Sequence, residues 1–138
     1  MDKDIRILNR EETVREIEKL IYYAKKELII ISPYVSITEE YKDEIINCRS
    51  KFKVIIVREN ENFKDYNFFK NENFIIKKAK NLHSKIYLNE NWLIFSSMNL
   101  YKYSIENNFE SSIMLRRNKI KDEEIKPILE ILYNAKKY

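Results

Sequence analysis

Apolar residues recur at helical spacing in the first part of the chain. Asn9-Arg10-Glu11-Glu12 resembles a capping box, in which two side chains satisfy backbone amides at the start of a helix. The apolar positions that follow at helical spacing are Val14, Ile17, Ile21 and Ala24. This pattern predicts a first helix over about 10–27.

Two further segments show the same spacing. Ser36-Ile37-Thr38-Glu39 can cap a second helix. The residues on the inner face of that helix would be Tyr41, Ile45 and Cys48. A last helix is predicted over 122–136, and Pro127 falls near its first turn or two, where proline is more tolerable.

Between the helices, apolar and β-branched runs predict strands. Leu28 to Ser32 is a continuous apolar run ended by Pro33, as in a buried strand. The other predicted strands are Phe52 to Val57, Phe74 to Lys78, Ser84 to Leu88, Trp92 to Ser96 and Phe109 to Arg116. Asn89-Glu90-Asn91 predicts a hairpin turn, and a short helix is predicted near 62–70. The order predicts one α/β domain over residues 1–138, a mixed β-sheet flanked by helices.

Composition narrows the function classes. The chain has 138 residues, a net charge of +4 and no apolar run near the roughly 20 residues that span a membrane. We therefore expect a cytoplasmic protein. One histidine and one cysteine are too few for the usual zinc ligands, and no cluster resembles a calcium loop, so we expect no metal and no cofactor. Glycine is absent, and the 15 asparagines are the expected substitutes where φ is positive.

The candidate chemistry surrounds the one histidine. His83 and Lys85 are two apart on a predicted strand and would share a face. Ser97 and Asn99 follow the next predicted strand, and Glu110 is the second residue of the one after. Together they supply a nucleophile or base, a fixed positive charge, hydroxyl and amide donors, and a carboxylate. This set suits an anionic phosphate better than a carbonyl or a metal.

The order His83-x-Lys85, Ser96-Ser97-x-Asn99 and Glu110 resembles the motif of the phospholipase D superfamily. The strands around 29–36 and 52–57 also resemble the first two strands of that fold. Two positions depart from the family pattern. Ser96 stands where the family has glycine, and Asn89 or Glu90 lies where the family has an aspartate. We expect the loss of that aspartate to affect the turn more than catalysis.

The resemblance implies a phospholipase D-like fold and phosphodiester hydrolysis without a metal, through a phosphohistidine on His83. Lys85, Ser97 and Asn99 would hold phosphate oxygens, and Glu110 would orient the imidazole. Family members use two copies of the motif and this chain has one, so an active enzyme would be a homodimer whose two His83 side chains share one phosphate. Single-motif bacterial members of this kind are nucleases, which favours DNA or RNA as substrate.

Two basic clusters lie beside the motif and suit a nucleic-acid backbone, although an ordinary solvated surface explains them equally well. They comprise Lys77, Lys78 and Lys80 on one side and Arg116 and Arg117 on the other. No amphipathic, membrane-facing segment favours a phospholipid substrate. The alternative function is a dimeric binding module with a degenerate site, which would hold nucleic acid or a phosphorylated ligand without cleaving it.

Overall fold

A computed structural model describes residues 3–59, 62–101 and 108–138. Its helices are α1 (Arg10–Tyr23), α2 (Glu39–Ile46), α3 (Tyr66–Asn71) and α4 (Lys126–Asn134). Its strands are β1 (Ile5–Leu8), β2 (Glu27–Ile31), β3 (Val35–Ser36), β4 (Phe52–Arg58), β5 (Ile75–Ala79), β6 (Ile86–Asn89), β7 (Trp92–Ser96), β8 (Leu100–Tyr101), β9 (Ser112–Arg116) and β10 (Lys136–Lys137). Two short 3-10 turns, Arg117–Lys119 and Asp122–Ile125, precede α4.

Eight of these strands form one mixed sheet in the order β1-β9-β7-β6-β2-β4-β5-β10, and β3 pairs with β8 apart from it. The strands β2, β4 and β5 are parallel, because α2 and α3 return the chain to the same edge between them. The strand β7 runs antiparallel to both of its neighbours, β6 and β9. The predicted α/β class with a mixed sheet flanked by helices is confirmed.

Helices cover the two faces of the sheet unequally. The helices α1 and α2 bury one face, where Ile17, Ile21 and Ile45 pack against alternate residues of the strands. The other face is covered by α4, where Ile128 packs on β2, β4 and β6. On that second face, apolar residues of β1, β7 and β9 remain exposed. The sheet therefore has a partly uncovered apolar surface on its antiparallel side.

Several predicted boundaries were wrong at the positions that concern function. The strand β6 begins at Ile86 and β9 at Ser112, so His83, Lys85 and Glu110 precede their strands instead of lying on them. The predicted last helix is a 3-10 turn followed by α4, with Pro127 in the first turn of α4. Proline has no backbone N–H to donate. It is tolerated in the first turn of a helix, where the N–H groups have no acceptor within the helix, so α4 begins at Lys126, next to Pro127.

Asparagine takes the backbone conformation that glycine would otherwise supply. Asn73 and Asn81 have φ of 66° and 58°, the left-handed region that other side chains avoid. Asn81 lies in the turn after β5, two residues before His83. The turn that delivers His83 to the edge of the sheet therefore depends on this residue.

We expect Asn81→Ala to be less stable than Asn81→Gly by about 1 kcal/mol, because alanine pays the left-handed cost that glycine escapes. Urea unfolding of the two variants measures the difference. Equal midpoints for the two variants would contradict this role for Asn81.

Candidate active site

The segments that carry the predicted site residues converge on one edge of the sheet. Ile31, Ile86, Phe95 and Ile113 are paired in one row across β2, β6, β7 and β9. Neighbouring strands are about 4.8 Å apart, and the next residue of each chain segment lies just beyond this row. These next residues are Ser32, Lys85, Ser96 and Ser112. The edge therefore brings four segments together that are distant in sequence.

His83 and Lys85 lie in the extended segment that enters β6. The backbone carbonyl of Lys85 accepts from the amide of Ser96 at 3.1 Å, which continues the β6–β7 ladder by one step. The side-chain Nζ of Lys85 donates to the carbonyl of His83 at 3.3 Å. His83 itself is exposed, and its imidazole makes no hydrogen bond to the described part of the chain. The imidazole is thus presented to solvent beside a fixed ammonium group.

Ser97 and Glu110 are in direct contact. The Oγ of Ser97 donates to Oε1 of Glu110 at 2.5 Å and accepts from the amide of Ser111 at 3.1 Å. The predicted contact between Glu110 and His83 is not formed in this structure, where Ser97 holds the carboxylate instead.

Asn99 is held by the end of β2. Its Oδ1 accepts from the backbone amide of Tyr34 at 3.2 Å and lies 3.3 Å from Oγ of Ser32. Ser32 is fully buried, donates to the carbonyl of Tyr34 at 2.7 Å and accepts from the amide of Leu100 at 2.9 Å. Since Oδ1 is occupied, the Nδ2 of Asn99 is the group left to face a ligand. Sequence reasoning missed Ser32, whose only signal was a polar residue closing an apolar run.

Tyr87 is a second positioning residue that the sequence did not reveal. Its ring is fully buried, and its hydroxyl donates to the carbonyl of Met98 at 2.7 Å. Burial raises the pKa of Tyr87 well above its usual value, so the hydroxyl remains a donor. The hydrogen bond fixes the segment between Ser97 and Asn99 from below.

Ser96 stands where the phospholipase D motif has glycine, and its hydroxyl is held by two groups of the protein. Its Oγ accepts from Oγ of Ser112 and from the amide of Met98, each at 2.8 Å. Ser112 lies in turn 2.8 Å from Oγ1 of Thr13 on α1. The side chain is therefore part of a chain of hydroxyl groups that reaches from β7 through β9 to α1.

Asn89 and Glu90, which lie near the position where the phospholipase D motif has an aspartate, both have structural roles. Asn89 is buried, and its Oδ1 accepts from the amides of Asn91 and Trp92 at 2.8 Å each. Glu90 accepts from the amides of Lys25, Lys26 and Glu27 at 3.0–3.3 Å. Partial burial opposes the charge on Glu90, but the backbone amides outweigh it and lower the pKa of the carboxyl. These contacts tie the β6–β7 turn to the loop that precedes β2.

The predicted basic residues fall at different places on the sheet. Lys80 is exposed and follows β5 at the same edge as Ser32. Lys77 donates to the carbonyl of Leu132, and Lys78 lies 5.4 Å from the ring centroid of Tyr138.

Arg116 and Arg117 lie at the opposite end of the strands from His83. The guanidinium of Arg116 contacts Asp4 at 3.0 Å, and that of Arg117 contacts Glu27 at 3.0 Å. The second cluster is thus separated from the His83 edge by the length of β7 and β9, about 13 Å.

Within residues 3–59, 62–101 and 108–138, no three side chains of the metal-binding types converge. No helix in the same part of the chain is long and apolar enough to cross a bilayer.

Comparison with solved structures identifies the fold. The phospholipase D family member Nuc from Salmonella typhimurium superimposes with a TM-score of 0.76 at 13% identity, with 97% of each chain covered. NucT from Helicobacter pylori gives a TM-score of 0.76 at 16% identity, over 97% of this chain and 99% of the other. TrmBL2, an archaeal chromatin protein with a novel mode of DNA binding, gives 0.72 at 10% identity, over 100% of this chain and 54% of its own. Neither a protein-family model nor a curated protein matches the sequence.

The chain therefore has the phospholipase D fold, as the motif predicted. The structural likeness extends over nearly the whole length of this chain and of two of the similar structures.

The contacts of Glu90 predict how stability depends on pH. The pKa of its carboxyl is lowered in the folded protein, so its stabilisation is complete above the unfolded value near 4.5 and is lost as the pH falls through the folded value. We expect Glu90→Gln to cost about 1–2 kcal/mol at neutral pH and to flatten the loss of stability below pH 4.5. Urea unfolding at several pH values measures both effects. Glu123→Gln, which changes an exposed carboxylate, is the matched control, and an equal response from it would contradict the assignment.

Proposed function

We propose that this protein hydrolyses phosphodiester bonds of nucleic acid without a metal ion, as a homodimer in which two copies of His83 act on one phosphate. The observation that carries the proposal is the convergence of the motif segments at one sheet edge, with the single histidine exposed there. The fold supports the same chemistry, since the similar structures include phospholipase D family members.

In each half of the reaction, one imidazole forms or breaks the bond to phosphorus, and the other imidazole gives or takes the proton. A neutral His83 attacks phosphorus, the bond to the leaving oxygen breaks, and that oxygen takes a proton from His83 of the second copy. The second imidazole, now neutral, takes a proton from water as the water attacks the phosphohistidine. The bond between phosphorus and nitrogen breaks, which returns the first imidazole and releases the phosphate product.

The charge that develops on the phosphate oxygens is met by fixed donors. The ammonium of Lys85 uses one donor on the carbonyl of His83 and has two more to offer a phosphate. Asn99 offers Nδ2, because its Oδ1 is held by Tyr34. Preorganised donors of this kind are strongest where charge appears only in the transition state.

Glu110 is proposed to orient the imidazole of His83 once substrate is bound. The contact with Ser97 uses one of about four acceptor positions of the carboxylate, so it leaves room for a ring N–H. If the contact between Ser97 and Glu110 instead persists when phosphate is bound, the imidazole is left without this orienting carboxylate. That outcome would favour the alternative function, a binding module that does not cleave.

The surface that would bring two copies together lies next to the site. Ile5, Ile7, Phe95 and Ile113 are 62%, 77%, 40% and 44% exposed on the face of the sheet that α4 leaves open. Ile7 pairs with Ile113, which pairs with Phe95, so the residues are neighbours across β1, β9 and β7. We call them the sheet patch. Phe95 directly precedes Ser96, so a second copy on the sheet patch would be continuous with a site that lacks its second histidine.

Nucleic acid is the favoured substrate class. The chain carries a net charge of +4, and Lys80 lies at the same edge as the site. One structure with the same fold belongs to a protein described as binding DNA.

Cleavage of labelled DNA and RNA in EDTA tests the activity. We expect the wild type to cut and His83→Ala to lose cleavage by at least about a thousandfold, because it removes the nucleophile. Ser84→Ala, an exposed neighbour, should keep the activity. Nucleic acid that is shifted in a gel but never cut by the wild type would overturn the hydrolase and favour the binding module.

Mixtures of wild type and His83→Ala subunits, refolded together, test the sharing of one phosphate. If two histidines act together, activity should follow the square of the wild-type fraction, since a mixed dimer has only one. A linear dependence would show that each chain acts alone.

Ile113→Lys tests the sheet patch. We expect this variant to be monomeric and inactive but folded, because the side chain is exposed within one chain and a lysine there would be desolvated only in a dimer. Ile75→Lys is the matched control, with the same 44% exposure on the parallel side of the sheet. In Ile113→Lys, the sedimentation coefficient and the cleavage activity should both fall. In Ile75→Lys, neither should change. An Ile113→Lys protein that remains dimeric would contradict this surface.

A further inference from the structure

A cavity of about 430 Å³ opens at the end of the sheet opposite His83. It lies between α1 and the β6–β7 turn, and its floor includes Leu20 and Met114. Trp92 begins β7 and Ser96 ends it, which places the cavity roughly 13 Å from the candidate active site. The cavity is therefore a separate feature, within the size range of small-ligand pockets, about 300–1,000 Å³.

The walls of this cavity carry an excess of positive charge. They contain four basic side chains, Lys3, Arg6, Lys19 and Lys25, and two acidic ones, Glu16 and Glu90. Both acids are already engaged by the protein. Glu16 contacts Arg6 at 3.1 Å and Lys19 at 3.8 Å, while the carboxylate of Glu90 accepts from backbone amides.

Two of the cations remain for a ligand. The ammonium groups of Lys3 and Lys25 have no acidic partner among the described residues. Since Lys3 and Lys25 both line the cavity, an anion inside it would lie near two positive charges that no carboxylate of the described residues neutralises.

Aromatic rings complete the lining. Trp92 is half-buried, with the guanidinium of Arg116 4.2 Å from its ring centroid, and Tyr23 is 60% exposed. Aromatic side chains beside cations form the usual platform for a base with its phosphate, because stacking and charge act on the two halves of the ligand.

We propose that this cavity binds a nucleoside phosphate, either free or as the terminal nucleotide of a strand. The phosphate would contact Lys3 and Lys25, and the base would lie against Trp92 or Tyr23. This site is independent of the phosphodiesterase proposed above, because none of its lining residues belongs to the His83 edge.

Trp92 is the only tryptophan of the chain, so its fluorescence reports directly on this cavity. The His83→Ala protein is titrated with AMP, adenosine and inorganic phosphate, with excitation at the red edge of the tryptophan band, where adenine does not absorb. We expect saturable quenching by AMP. Adenosine and inorganic phosphate should bind more weakly, because adenosine lacks the phosphate and inorganic phosphate lacks the base.

The double variant Lys3→Gln/Lys25→Gln should raise the Kd for AMP roughly tenfold. The double variant Lys64→Gln/Lys121→Gln changes the charge equally at exposed positions elsewhere and should leave the Kd unchanged. Absence of saturable quenching, or an equal effect of the two double variants, would overturn the proposal. Circular dichroism of each variant confirms that it is folded.

An oligonucleotide with a 5′ phosphate distinguishes the two sources of the ligand. Tighter binding of this strand than of AMP, lost when the 5′ phosphate is removed, would assign the cavity to a strand end. Binding of AMP at least as tight as that of the strand would assign it to a free nucleotide. Because the titrations use His83→Ala, their outcome is separate from the success or failure of the cleavage assay.

Discussion

The candidate site depends on one buried hydroxyl at the end of β2. Ser32 has no exposed surface, so its Oγ must find its partners within the protein. It finds them in the carbonyl of Tyr34 and the amide of Leu100. These bonds join the end of the parallel half of the sheet to the segment after β7, and Asn99 is placed between them. Loss of this hydroxyl would leave the buried amide of Leu100 without this acceptor, at a cost of about 1–3 kcal/mol.

The positions that differ from the phospholipase D motif keep the architecture by other means. A serine in place of glycine adds a polar group that must be satisfied, and Ser112 and the amide of Met98 satisfy it. Glu90 has one more methylene than an aspartate and reaches the amides of the loop before β2. Both departures thus fall on the scaffold of the site. The groups proposed to contact phosphate, His83, Lys85 and Asn99, match the residue types of the phospholipase D motif.

The sequence was sufficient for the class of fold and for the order of the motif, because those depend on local periodicity and on residue types at short spacing. It was insufficient for Ser32, which meets Asn99 across 67 residues of chain. The contact between Ser97 and Glu110 was likewise out of reach, since it depends on where β9 begins. The first strand, β1, was missed because it has only four residues, so the alternation Ile5-Arg6-Ile7 is too short to mark a strand. Long-range hydrogen bonds leave little trace in local patterns.

The distribution of exposed apolar surface gives the proposed dimer a physical reason that is independent of the single histidine in each chain. In an isolated chain, the side chain of Ile7 is 77% exposed, so burial of this apolar surface contributes little to the stability of the fold. Coverage by a second copy would remove that surface from water at about 25 cal/mol for each Å². Phe95 and Ile113 are paired with each other, and the next pair along the strands is Ser96 and Ser112. A second copy that covers Phe95 and Ile113 would therefore also exclude water from the edge that holds His83. Exclusion of water strengthens the charge interactions of Lys85 with an anionic substrate, so association and catalysis would be coupled through one surface.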